Sequence, residues 1–126
     1  MTNGENPKHY DLEERTLEFA KNSRVFVRRL PRTISNIEDV KQFVRASGSI
    51  GANYIEANEA IGKKEFVMKV KICRREAKES GYWLRLMDID GKQQAQQSRL
   101  LGEALELLKI FGAIIRKRRN ELEFRV

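Results

Sequence analysis

Phe66–Met87 read FVMKVKICRREAKESGYWLRLM, and this stretch decides the fold. Phe66, Val70, Cys73, Ala77, Ser80, Leu84 and Met87 recur at alternating steps of four and three over three heptads. That period lines one face of an α-helix. A second stripe, Ile72, Glu76, Glu79, Trp83 and Leu86, runs beside the first. A helix with two partly apolar faces needs more than one neighbour. The helix is predicted over about 64–89, and Asp88-Ile-Asp-Gly91 ends it as a turn.

The pattern continues in both directions. Upstream, Leu12, Thr16, Phe19, Ser23, Phe26 and Leu30 form one face of a helix predicted over 11–30. Asp11 opens it, Glu13 and Glu14 sit in its first turn, and Leu30-Pro31 closes it. Ser35-Asn-Ile-Glu38 reads as a capping box for a second helix over about 37–61. Its apolar stripe includes Val40, Phe43, Val44, Ile50, Tyr54, Ile55, Ala57 and Ile61. Downstream, Leu100, Leu101, Ala104, Leu105, Leu107, Leu108, Phe111, Ile114 and Ile115 give a fourth helix, over about 94–120, a broad apolar face. No segment sustains a period of two, so no strand is expected. Four helices of matched length with short loops predict an all-α, up-down-up-down antiparallel four-helix bundle over 11–120. A disordered polar tail is expected over 1–10 and a C-terminal tail over 121–126.

Composition narrows the chemistry. The 126 residues carry 25 Lys and Arg against 18 Asp and Glu, a net charge of +7, with one Cys and one His. One cysteine makes no intramolecular disulfide and no cysteine-based zinc site. Without a histidine on the bundle, Ser-His-Asp and Cys-His catalysis lack a base. Neither GxxxxGK[ST] nor GxGxxG occurs. No apolar run approaches the ~20 residues that span a bilayer. The opening MTNGENPKHYD resembles no secretory signal, so a cytoplasmic protein is expected.

Three groups of residues stand out of character. In the second helix, Ser47, Gly48, Gly51 and Ala52 are small, and each glycine costs about 1 kcal/mol relative to alanine. Close approach of another helix would offset that cost. Glu56 and Glu59 on the second helix, and Glu76 and Glu79 on the third, form two Glu-x-x-Glu pairs. Di-iron bundles use Glu-x-x-His, and the histidines are missing here. A buried network with Arg74, Arg75 or Arg85 is the plainer reading, against a carboxylate metal site. Cys73 lies on the main apolar stripe and reads as core.

The third group is basic. Lys63, Lys64, Lys69, Lys71, Arg74, Arg75, Lys78 and Arg85 face only Glu65, Glu76 and Glu79 within the third helical segment. Arg116, Lys117, Arg118 and Arg119 end the fourth helix. In an antiparallel pair that cluster lies near Lys63 and Lys64, giving one basic end suited to a phosphate backbone. A solvated face with dipole-favoured ends is the alternative.

Ser49-Ile-Gly51-Ala-Asn53-Tyr-Ile-Glu56-Ala, then Glu76-Ala-Lys-Glu79-Ser80 and Tyr82-Trp83-Leu84, resemble the bacterial four helix bundle protein family, also called the 23S rRNA intervening-sequence protein family. The resemblance runs from Tyr10 to about Lys117. It implies a small cytoplasmic bundle, typically a homopentamer, with no established enzymatic activity and no cofactor. The accessory variability determinants of diversity-generating retroelements form a related branch, which implies nucleic acid and a reverse transcriptase as candidate partners. The wide apolar arcs of helices three and four fit a ring built by heterologous contacts. The expected function is therefore a non-enzymatic, self-assembling bundle that binds RNA or DNA through its basic surface. The alternative is a structural or protein-interaction module without intrinsic nucleic-acid binding.

Overall fold

The computed structural model describes residues 11–124, so the expected tail over 1–10, with His9, lies outside the described residues. Four helices and no strand occur among the described residues: α1 (Leu12–Val27), α2 (Ile34–Asn58), α3 (Lys63–Leu86) and α4 (Gln94–Phe124). A 3-10 turn, Gly91–Gln93, precedes α4. Paired residues show that successive helices run antiparallel. Glu13 reaches Asn58 across α1 and α2, Glu56 reaches Lys69 across α2 and α3, and Lys63 reaches Glu121 across α3 and α4. Arg15 closes the cycle by bonding Glu103 of α4.

The expected face of α1 is the observed one. Leu12, Thr16, Phe19, Ser23, Phe26 and Leu30 are all buried. Thr16 and Ser23 satisfy their hydroxyls within the helix, on the carbonyls of Leu12 and Phe19, each at 2.7 Å. Regular helix stops at Val27, three residues before the expected end. Tighter turns then carry the chain on, with Arg29 and Leu30 amides donating to the Phe26 and Val27 carbonyls.

The Ser35 capping box does not form. Thr33, in extended backbone, is the N-cap of α2, and its hydroxyl accepts from the Asn36 amide at 3.1 Å. The helix therefore starts and stops about three residues early. Ile61 falls in the α2–α3 turn and is fully exposed, and Ile55 is half exposed, so neither joins the core. The α3 core face holds from Val70 to Met87, with Val67 buried where Phe66 was expected.

The helices are not matched in length. α1 has 16 residues and α4 has 31, roughly 24 Å against 46 Å. α4 continues to Phe124, four residues past the expected end, so the expected tail from 121 begins as helix. The first turns of α1 meet α4 at Glu103 and Glu106. Later turns of α4 run on past α1 against α3. Phe19, Phe26, Phe43, Ile50, Val70, Leu84, Leu107 and Phe111 are the large, fully buried side chains at the centre.

Candidate nucleic-acid interface

The two basic clusters meet along the α3–α4 seam. Lys71, Arg74 and Arg75 from α3 and Arg116 and Arg119 from α4 line an open cleft of about 480 Å³, with Gly112 and Ile115 at its base. Gly112 lies between two of these cations. A Cβ there would meet Arg116 Nη1 at 3.5 Å and Arg74 Nε at 3.6 Å, ordinary contact distances, so both guanidiniums lie against this turn of α4. None of the five cations makes an ion pair with a described carboxylate side chain. Crowded like charges beside an apolar floor attract a polyanion more strongly than the same charges dispersed.

The other candidate cations divide differently. Lys63 and Arg118 both bond Glu121 Oε1, at 3.3 and 3.0 Å, and hold its carboxyl below the usual range. Arg118 also lies over the Phe66 ring, 5.6 Å from its centroid. Lys69 is bound to Glu56 at 2.6 Å. Lys64, Lys78 and Lys117 are exposed and do not line the cleft. Antiparallel packing brings the expected ends, Lys63 and Lys64 with Arg116–Arg119, together, and Glu121 there pairs with Lys63 and Arg118. The concentrated charge lies two to three turns further along α3.

On the α2 side of α3 lies a second recess, about 360 Å³, lined by Gln42, Arg45, Arg75, Glu76, Glu79 and Trp83 among others. Arg75 borders both hollows. Burial, then the neighbouring Glu79 charge, pushes the Glu76 carboxyl above its ordinary value, against the pull of Arg75 and Arg45. The expected buried Glu–Arg network does not form: Glu76 and Glu79 share this recess with Arg75 and Arg45, but none of the four makes an ion pair among the described side chains. Glu56 takes a lysine instead, and Arg74 lines the basic cleft. Among the described residues no three His, Cys, Asp or Glu side chains converge to hold a metal ion. Cys73 is fully buried, and burial pushes its thiol up to about 12.

The small-residue stretch does bring helices together, at one point above all. A Cβ on Gly51 would lie 2.8 Å from Thr16 Oγ1 of α1. Ser47 is buried, Gly48 faces the Arg24 guanidinium, and Ala52 is exposed and takes no part. Asn53 donates to the Ser49 carbonyl at 2.9 Å within α2. Ser80 is fully buried, and its hydroxyl has no partner among the described residues.

Two polar contacts had no signal in the sequence, and a third, Gln93 with Asp90, has the spacing of a capping box. Arg15 forms a bidentate pair with Glu103, at 2.7 and 2.9 Å, across the α1–α4 seam. Asn36 is buried and bridges the Pro31 and Asp88 backbones. Gln93 is buried, donating to the Arg29 carbonyl and accepting from the Asp90 amide. Each pairs residues brought together only by the tertiary fold or by the turn before α4.

A family model described as 23S rRNA-intervening sequence protein matches residues 8–113. A solved structure from Bacteroides thetaiotaomicron, described as a protein with unknown function from the S23 ribosomal protein family, superposes with a TM-score of 0.67 at 29% identity. The match covers 82% of this chain and 96% of that one. No curated protein matches. No described helix is long and apolar enough to cross a membrane.

Proposed function

The chain belongs to the 23S rRNA-intervening sequence protein family, and from that premise we propose that it binds the phosphate backbone of RNA or DNA in the α3–α4 cleft. The observation that carries this reading is the convergence of Lys71, Arg74, Arg75, Arg116 and Arg119 around Gly112. The role is non-catalytic and cytoplasmic. Cys73 is too deeply buried to serve as a nucleophile, and the chain's only histidine precedes the bundle in sequence.

The bundle acts as a self-assembled ring of five copies, whose clefts together offer a repeated basic surface. Ile34, Ile61, Met68 and Leu86 support self-association. These are large apolar side chains left exposed on α2, α3 and the turn between them. A cyclic contact would pair one such face with a different face of the next copy. Light scattering tests the ring, and a lone 14.7 kDa species at micromolar concentration refutes it.

Polarisation titrations with structured RNA and duplex DNA test the cleft. Affinity should fall steeply with salt, because each neutralised phosphate releases counterions. Arg74→Glu combined with Arg116→Glu should abolish binding. No binding of structured RNA, duplex DNA or single strands at about 50 mM salt and micromolar protein would refute the reading. A protein-interaction module, with a reverse transcriptase as one candidate partner, would then take its place.

A further inference from the structure

We propose that the strand held by the cleft is unpaired, with one of its bases stacked on Tyr82. This rests on the phosphate-binding reading and narrows it to single-stranded nucleic acid. Among the described side chains Tyr82 is the one exposed aromatic ring, 53% exposed. Its position is not loose. Trp83, half-buried beside it, meets the ring nearly edge-on, with centroids 5.1 Å apart and planes at 75°. Tyr82 is thus in contact with a neighbour packed against the core while about half of its surface stays open to solvent.

The surroundings of the ring identify its ligand. Lys71, Arg75, Lys78, Tyr82 and Arg85 follow at steps of four, three, four and three, and all five are exposed. They therefore form one edge of α3, four cations and one ring. Arg75 belongs to this edge and to the cleft wall. It stands seven residues from Tyr82, roughly 10 Å along the helix. A strand whose phosphates lie on Arg74, Arg75 and Arg116 thus has Tyr82 within reach of a neighbouring base. Single strands are held elsewhere by this combination of a cationic track and an aromatic platform, because every unpaired base offers a π-face. A duplex keeps its faces stacked inward and gains nothing from the ring.

Trp83 is the chain's only tryptophan and touches Tyr82, so its emission reports on the platform directly. Titrations use oligo(dT) and oligo(rU) of about twelve nucleotides, an abasic strand of equal length and a duplex, near 50 mM salt. Tyr82→Ala should weaken whichever single strand binds more tightly by about 5- to 100-fold, while Tyr82→Phe stays within about twofold. Duplex affinity should be unchanged in both variants. The abasic strand should bind the wild type weakly and leave Trp83 emission unchanged. Equal single-strand affinity in Tyr82→Ala and wild type, or an abasic strand that binds as tightly as oligo(dT) or oligo(rU), would overturn the stacking proposal. Duplex binding without single-strand binding would overturn it too and leave the phosphate reading standing. Absence of binding to every probe would remove both.

Discussion

Gly51 of α2 lies so close to Thr16 of α1 that a Cβ at 51 would stand 2.8 Å from Thr16 Oγ1 and 3.2 Å from Thr16 Cβ. The hydroxyl is not free to swing away, since it donates to the Leu12 and Glu13 carbonyls. Helix propensity alone favours alanine over glycine by about 1 kcal/mol. Overpacking costs about 1–3 kcal/mol, so the clash wins. Gly51→Ala should therefore lower the Tm by several degrees, and Gly51→Leu should lower it further or disrupt the fold. Gly81→Ala and Gly102→Ala should instead raise it, because a Cβ at either position meets nothing within 4 Å. Thr16→Ala should recover part of the loss in Gly51→Ala. An unchanged Tm for Gly51→Ala would show that Thr16 yields and that this contact does not set the helix spacing.

Asn36 ties the α1–α2 loop to the α3–α4 loop. Its Nδ2 donates to the Pro31 carbonyl at 2.9 Å and the Asp88 carbonyl at 2.8 Å, and its Oδ1 accepts from the Asp88 amide at 2.9 Å. Asn36→Asp keeps the shape but replaces the donor with an acceptor facing two carbonyls. We expect it to lose about 2–3 kcal/mol, the cost of buried groups left unpaired. Hydrogen exchange at the Asp88 amide should accelerate in Asn36→Ala. Denaturant midpoints matching the wild type in both variants would mean that water replaces the bridge.

These two sites mark what a sequence can carry. The buried face of α1 was readable position by position, because helical periodicity is local and Leu12 to Leu30 obey it. Asn36 was not, because a polar residue is buried only when its partners arrive, and Asp88 is 52 residues away. The start of α2 was misread for a related reason. Ser35 and Glu38 satisfy the spacing of a capping box, but Thr33 reaches the Asn36 amide first, and Ser35 turns toward Asp88. In the basic surface both clusters were evident from composition. Which cations remain unpaired depended on Glu56, whose Lys69 lies 13 residues away, and on Glu121, which takes Lys63 from 58 residues away as well as Arg118 at the local spacing of three.

Glu76 should make stability depend on pH in the less common direction. Burial and Glu79 raise its carboxyl in the folded state, while Arg75 and Arg45 only partly oppose them. The folded chain then binds a proton that the unfolded chain has already released. Between the ordinary value of 4.5 and the raised one, this group's contribution to stability falls as pH rises. Glu76→Gln should consequently raise the Tm at pH 7, and the gain should vanish below about pH 4. Thermal melts across that range check the sign. A destabilised Glu76→Gln at pH 7 would show that the attraction to Arg45 and Arg75 outweighs the burial cost.

Arg116 and Arg118 are two residues apart in sequence and differ in what holds them. Arg118 is bound to Glu121 and stacked over Phe66, whereas Arg116 borders the cleft beside Arg74. If phosphates dock in the cleft, Arg116→Ala should weaken nucleic-acid binding and reduce the slope of log affinity against log salt by about 0.7–0.9, one lost phosphate contact. Arg118→Ala should change affinity by less than about twofold. It should also cost little stability, because a half-exposed ion pair contributes about 0–1 kcal/mol. The pair of slopes, measured on one RNA, separates a cleft from a diffuse basic end. Equal flattening by both substitutions would place the phosphates at the helix terminus and remove the cleft as their seat.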